Sequence, residues 1–535
     1  MPDLSRGGRR KTVRASVRRE WESVSRVATR VLGLAFVYLL AAAHVGSPDT
    51  WFEGTAGPYP VTVQISPAGV VPGVARVFVR VAGDPPATVT VQANRFDATG
   101  GAPPPESATA VDGEPGLFAG SLWIMTAGSN SVTVNVAGAR GSGSVVVPMV
   151  ASATRRLEMN VPMGIGLAAM GMFLLIGLVT IVGAAVREST LAPGDPIDFS
   201  QRKRARGAMA VTTLVAAALL FGGWTWWNAE DAGFVRSMFK PFKATTSVRS
   251  GVDGAMLSLT IVDSPWVMRG DSGWLARNGA SAWTPLVKDH DKLMHLFLVR
   301  KDLSAMGHLH PVSADTANFL SRLPPLPAGE YRVFADIVHE SGFTQTIVSS
   351  VNVPTPATGL PTTTDNKDDS WFAEPVDRSA LRATLANGST MTWNRASAPL
   401  TAGSPARLSF TITNSDGSAA VLEPYMGMPG HAAVARDDGS VFVHLHPMGT
   451  ISMASQMAFE MREPGDTVRG RLGKRITAAA MPAMDHVAVP SGVVSFPYAF
   501  PRDGEYRIWV QVKQQGRVLT GAFHASVAAP KDPAS

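Results

Sequence analysis

Apolar and polar residues alternate in short runs through most of this chain. Val61-Thr62-Val63-Gln64-Ile65, Val77-Phe78-Val79-Arg80-Val81, Thr88-Val89-Thr90-Val91 and Ser131-Val132-Thr133-Val134-Asn135-Val136 each have a two-residue period, which puts every second side chain on one face of a strand. Proline and glycine punctuate the runs, as in Ala102-Pro103-Pro104-Pro105. Short alternating strands between such breaks predict an antiparallel β-sandwich over 47–160. Two more β modules follow, at 228–354 and 377–530. Between them Pro354-Thr355-Pro356 and Thr362-Thr363-Thr364-Asp365-Asn366-Lys367-Asp368-Asp369 carry no core-forming pattern, so 355–376 reads as a linker.

The last two modules share a closing element. Gly329-Glu330-Tyr331-Arg332-Val333-Phe334 in one corresponds to Gly504-Glu505-Tyr506-Arg507-Ile508-Trp509 in the other. A tyrosine entering a late strand in this way is a corner device of immunoglobulin-like sandwiches. The predicted fold class is therefore mainly β, with three immunoglobulin-like β-sandwich modules and two to three transmembrane helices.

The helices come from three apolar stretches that break the alternation. Residues 31–46 are apolar but short for a span of about 20 residues. They read as a first transmembrane helix or signal anchor, although Ala41-Ala42-Ala43 also resembles a signal-peptidase site. Residues 161–186 contain no charge and read as a second span. Residues 208–227 read as a third, ending in Trp224, Trp226 and Trp227 as an interfacial aromatic belt.

Charge then sets an orientation. Residues 1–30 hold nine basic residues (Arg6, Arg9, Arg10, Lys11, Arg14, Arg18, Arg19, Arg26, Arg30) against Asp3, Glu20 and Glu22. That excess equals the formal net charge of the whole chain, +6, so the rest is formally neutral. A neutral body gives no reason to expect nucleic acid as a partner. The basic tail and the 187–207 loop, with Arg187, Arg202, Lys203, Arg204 and Arg206, belong on the cytoplasmic side. The expectation is an inner-membrane protein whose 47–160 and 228–535 regions face the periplasm or the extracellular side, with the lipid bilayer as its first partner. Neither long span carries an ionisable residue, so no ion relay is expected within them. The chain has no cysteine, which excludes disulfides, zinc–thiolate sites and cysteine-ligated clusters.

The chemistry lies in a repeat. MHLFLVRKDLSAMGHLHP, from Met294 to Pro311, recurs as MPGHAAVARDDGSVFVHLHP from Met428 to Pro447. In both, a histidine is followed thirteen residues later by His-Leu-His-Pro, so His295, His308 and His310 correspond to His431, His444 and His446. Six of the eleven histidines fall in these frames. Each frame reads as a β-hairpin. A two-residue turn at Asp437-Asp438 would pair His431 with His444 and leave His446 on the same face. Three imidazoles on one face predict a metal site in each module, and a one-residue slip of register would destroy it.

Met294, Met306, Met426, Met428 and Met448 flank the triads as additional candidate ligands, and His290 aligns with Met426 five residues before the first histidine. Imidazole suits copper, with thioethers adding a Cu(I) option. Zinc also fits three histidines with an open position. His44, His339 and His524 do not recur and read as structural or exposed. A methionine-rich insertion (Met448, Met453, Met457, Met461, Met481, Met484, with His486) either fills a core or relays metal. No nucleophile–base pair, phosphate loop or cofactor fingerprint appears, so no enzyme is expected.

With these motifs in view, the MHL…HLHP frame followed by GEYR resembles the histidine-bearing β-sandwich modules of bacterial extracytoplasmic copper-handling proteins, the copper-resistance-C-like, FixH-like and YtkA-like class. The resemblance covers both C-terminal modules and reaches the N-terminal one only in strand pattern. It implies an extracytoplasmic immunoglobulin-like fold and a role in copper handling. The expected function is copper sequestration or delivery, with another envelope metal-handling protein as an expected partner. Only the six repeated histidines match as ligands. The alternative reading is a membrane-anchored scaffold or adhesion protein with structural histidines.

Overall fold

The computed structural model describes residues 49–530, apart from 84–85, 87, 97–101, 190, 193, 252–253, 264–283, 357–363, 396–397, 464–465, 467–469 and 480–491. The basic tail 1–30, the apolar stretch 31–46 and, within the insertion, Met481, Met484 and His486 lie outside the described residues. The chain is mainly β and divides into two compact units. Among the described residues, one lies within 49–67, 74–151 and 241–530; the other within 68–73 and 152–240.

The smaller unit is built on two helices, Val161–Glu188 and Phe199–Ser237, each long and apolar enough to cross a membrane. Apolar side chains are exposed along both, among them Phe173, Leu174, Leu219 and Phe221. A helix apolar on its exposed surface suits lipid rather than water. Where the pair meets, Gly183 allows close approach, because a Cβ there would lie 2.6 Å from the Met209 sulfur.

The third apolar span differs from the expected 208–227. Asp198 accepts from the Gln201 amide and Gln201 Oε1 accepts from the Asp198 amide, both at 2.8 Å, forming a capping box. Helix therefore begins at Phe199 and takes in Gln201 to Arg206, whose lysine and arginines favour helix. The predicted 187–207 loop contracts to 189–198.

In the larger unit, the N-terminal region forms one five-stranded and one four-stranded sheet. The middle region pairs a three-stranded sheet with a six-stranded one, and the C-terminal region pairs a four-stranded sheet with a five-stranded one. In the middle region Leu257, Leu259 and Phe319 of one sheet share a core with Leu296, Leu298 and Val333 of the other. In the C-terminal region Leu408, Phe410 and Phe496 pack with Val434, Ile508 and Val510. The matched Gly-Glu-Tyr elements do the same work in both. Tyr331 donates to the Pro327 carbonyl (2.8 Å) and Tyr506 to the Arg502 carbonyl (2.7 Å), each four residues upstream. Gly329 and Gly504 enter these strands at φ +139° and +127°, where a side chain would be strained.

The expected linker 355–376 is in part structure. Ser370–Ala373 adds a strand to the middle region's sheet, with Ser370 opposite His308 and Ala373 opposite Ala305. Its backbone donors are drawn to the free edge that the hairpin would otherwise expose. The insertion holds two short helices, Met453–Glu460 and Arg471–Ala478. Met453, Met457 and Met461 pack there with Phe96, Val287, Val338 and Leu472. These three methionines fill an apolar seam between regions.

Candidate metal centre

The histidine hairpins are strands His295–Arg300 with Ala305–Leu309, and His431–Arg436 with Phe442–Leu445. All four are buried on both faces. One set of alternating residues (Leu296, Leu298, Leu309; Ala432, Val434, Leu445) faces each region's own core. The other set faces the opposite hairpin. There Phe297, Val299, Met306 and Phe334 meet Ala433, Ala435, Phe442 and Trp509. Phe334 stacks on Phe442 with centroids 4.2 Å apart, and Phe297 lies 5.0 Å from the same ring. This apolar half closes the interface, and the histidines occupy the rest of it.

Register differs from the sequence expectation by two residues. His308 lies opposite Phe297 and His444 opposite Ala433, so His431 does not pair with His444. The turn is longer than two residues: Arg436 N bonds Val441 O (2.9 Å), and Gly439 N bonds Arg436 O (2.9 Å). A shift of two preserves parity, so all six histidines still share their expected faces.

In the first triad the nitrogens are fixed by their partners. His310 Nδ1 donates to Asp369 Oδ1 (2.9 Å), an oxygen that also accepts from the His310 amide (2.9 Å). His308 Nδ1 lies 2.9 Å from Gln511 Oε1, and the Gln511 amide nitrogen donates to Ser370 Oγ, which orients the amide. His295 Nε2 is 3.2 Å from the Asp289 carbonyl. A carbonyl oxygen and an amide oxygen only accept, so His295 carries its proton on Nε2 and His308 on Nδ1. The facing nitrogens, His295 Nδ1 and His308 Nε2, are 3.3 Å apart. In the neutral rings both are lone pairs.

The second set is not the triad read from the repeat. His290, His431 and His446 bring one nitrogen each within 4.8 Å of one another, as do His295, His308 and His310. His290 belongs to the middle region, so this set is shared across the interface. His290 sits at φ +50° just before the first hairpin, and its counterpart Met426 sits at φ +52°. His446 Nδ1 donates to the Ile451 carbonyl (2.9 Å), leaving Nε2 free. His444 lies between the two sets, with ring centroids 5.2 Å from His295, 5.4 Å from His308, 5.3 Å from His431 and 4.5 Å from His446. His290 was legible only as an aligned histidine; its placement depends on docking of the two sheets.

Buried polar atoms in proteins are almost always partnered. Here His310 Nε2, His444 Nε2, His446 Nε2 and both nitrogens of His431 are buried without a hydrogen-bond partner. Burial, reinforced by the other imidazoles, holds His295, His308, His431 and His444 well below the usual histidine range. Burial, with a smaller push from His310 and His290 respectively, brings His290 and His446 down to about 4. At neutral pH the rings are therefore uncharged donors. Carboxylates lie just behind them. Asp369 holds His310, Asp336 Oδ2 is 3.7 Å from His444 Nδ1, and Asp289 interacts with His446. Burial pushes Asp336 up to about 7.

The flanking methionines separate. Met294 lies in the middle region's own core, and Met306 lies in the apolar half of the interface. Met426 and Met428 are buried in the C-terminal region, and the Met448 carbonyl accepts from the Glu53 amide (2.8 Å). Of the remaining histidines, His339 is buried with Nδ1 donating to the Thr284 carbonyl (2.8 Å) and Nε2 meeting Gln345 (3.0 Å). His524 pairs with Glu505 (2.8 Å).

A family model described as a domain of unknown function, DUF8832, matches residues 383–529. No curated protein matches the chain. Among solved structures, an engineered protein is 24% identical over 17% of this chain and 20% of its own, with a TM-score of 0.14. Salmonella alpha-2-macroglobulin reacted with methylamine is 10% identical over 90% of this chain and 24% of its own, with a TM-score of 0.17. The ICAM-5 D1–D4 ectodomain fragment is 10% identical over 86% of this chain and 74% of its own, with a TM-score of 0.14. The chain thus spans about a quarter or less of the first two of these proteins.

Proposed function

We propose that this chain is a membrane-anchored metal-binding protein that holds copper on buried imidazoles at the extracytoplasmic face, for sequestration or delivery. The observation that carries the reading is the 3.3 Å approach of His295 Nδ1 and His308 Nε2, with the other nitrogen of each ring already committed. Two facing lone pairs repel, and a cation beside both turns the repulsion into ligation. Nitrogens bound at about 2.0–2.1 Å to a tetrahedral ion are themselves about 3.3 Å apart, so the pair already has the spacing of a ligand edge. Asp369, Gln511 and the carbonyls of Asp289 and Ile451 supply the outer contacts that orient metal-binding imidazoles.

An all-imidazole donor set without thiolate favours Cu(II) most strongly among the divalent first-row ions, with zinc as the main competitor. The paired sheets and corner tyrosines support immunoglobulin-like modules. The basic residues near the two apolar helices support an orientation with the β regions outside. A second envelope metal-handling protein would supply or receive the ion. The test is metal analysis of the full chain purified in detergent, stripped and reloaded. Copper retained through gel filtration, and lost together with His295→Ala and His308→Ala, supports the proposal. A stripped protein that takes up neither copper nor zinc overturns it.

A further inference from the structure

We infer that the two sets of imidazoles form one binuclear centre, in which two metal ions lie side by side across the interface and can share a bridging ligand. This rests on the metal reading above and goes beyond it, because the repeat by itself implies two separate sites, one per module. Three observations bring the sites together.

The first is proximity. His290 and His295, assigned to different sets, have ring centroids 6.1 Å apart, and His444 stands 5.2–5.4 Å from His295, His308 and His431. An ion sits about 2 Å from each ligating nitrogen. Ions held by the two sets are then immediate neighbours, as in two-metal centres, whose ions lie about 3.5–4 Å apart.

The second is the donor count. Three imidazoles in each set leave His444 over, at the centre, with Nε2 buried and without a partner. Placed between the triads, it can supply the fourth nitrogen to an ion in either set. The third is charge. Two divalent ions in a buried, uncharged donor set call for compensation. Three carboxylates stand behind the cluster: Asp369 on His310, Asp336 beside His444 and Asp289 toward His446. They border both sets and the residue between them. The shared set also needs His290 from the opposite region, so neither region can complete the centre alone.

The experiment loads the stripped full chain in detergent with Cu(II) and compares bound copper with the integrated electron paramagnetic resonance signal. The expected result is two copper ions per chain, with a spin count less than half of the bound copper or a half-field line. Loading with a tenfold excess of zinc over copper should restore the spectrum of isolated Cu(II) without any mutation. His290→Gln should bind one copper with its full spin. Two copper ions giving two full, uncoupled spins would overturn the binuclear centre and leave the metal reading standing. One copper in the parent chain would do the same. Failure to retain any metal would remove the metal reading itself.

Discussion

His308 Nδ1 and Gln511 Oε1 are 2.9 Å apart although their residues are separated by 203 positions and belong to different regions. The reciprocal relation is present too. Asp336 occupies in the middle region the place that Gln511 has in the C-terminal one, beside the first histidine of the hairpin, and approaches His444 at 3.7 Å. The C-terminal region thus orients an imidazole of the middle one, and the middle region places a carboxyl group near an imidazole of the C-terminal one. Replacing Gln511 with leucine keeps the volume but removes the acceptor, so His308 is no longer fixed with its lone pair on Nε2. Losing such an outer contact typically lowers metal affinity about 10–100-fold. Competition titration of Gln511→Leu with a chelator of known affinity checks this. An unchanged affinity would show that the amide does not orient a ligand.

His290 offers a sharper comparison because it does not belong to the repeated triads. His290→Ala should lower the metal bound per chain as much as His431→Ala does, since both residues serve the same set. His524→Ala should leave it unchanged, because that ring pairs with Glu505. His339→Ala is a structural substitution: the ring is buried and bonded on both nitrogens, so its loss leaves partners unsatisfied. It should lower the thermal midpoint without altering the copper stoichiometry of the folded fraction. Metal analysis of the four variants side by side decides the point.

Docking of the hairpins depends on the apolar half of the interface. Phe442 lies between Phe334 (4.2 Å) and Phe297 (5.0 Å). Truncating a buried phenylalanine to alanine costs about 3–5 kcal/mol, whereas Phe442→Leu should cost under about 1.5 kcal/mol. Because His290 and His431 meet only when the sheets are docked, Phe442→Ala should also weaken metal binding without touching a ligand. Denaturation followed with and without copper measures both effects. Loss of stability with no loss of affinity would mean that the imidazoles converge independently of the aromatic stack.

How far these features were legible in the sequence follows from which interactions are local. The hairpins and the shared face of His295, His308 and His310 follow from a two-residue period, and a register error of two leaves that face intact. Asp437-Asp438 reads as a tight turn, whereas Arg436 and Val441 close a longer one. Ser370–Ala373 reads as linker because its partner edge lies more than sixty residues earlier in the chain. The convergence of the two triads was not legible at all. It arises from both faces of each hairpin being buried, which a strand such as HLFLVR signals only as a continuous apolar run.

Acid should destabilise the metal-free protein through these same histidines. His290 and His446 are held down to about 4 by burial, against an ordinary value of 6.5. The unfolded chain therefore binds more protons than the folded one between these values. Stability is fully present above about 6.5, falls as the pH drops from there, and levels off once the folded rings also protonate near 4. Each of the two residues contributes a loss on the order of 3 kcal/mol across that window. His295, His308, His431 and His444 are shifted in the same direction and add to it. Copper loading should move the midpoint of acid unfolding lower, because protons must displace the ion before the rings can charge. Acid titration of the stripped and copper-loaded chains, followed by tryptophan fluorescence, tests both statements. His431→Phe provides the control, since replacing a buried ionisable ring with an apolar one should flatten the metal-free profile near pH 5. A metal-free protein equally stable at pH 7 and pH 5 would show that the imidazoles are not held neutral in the fold.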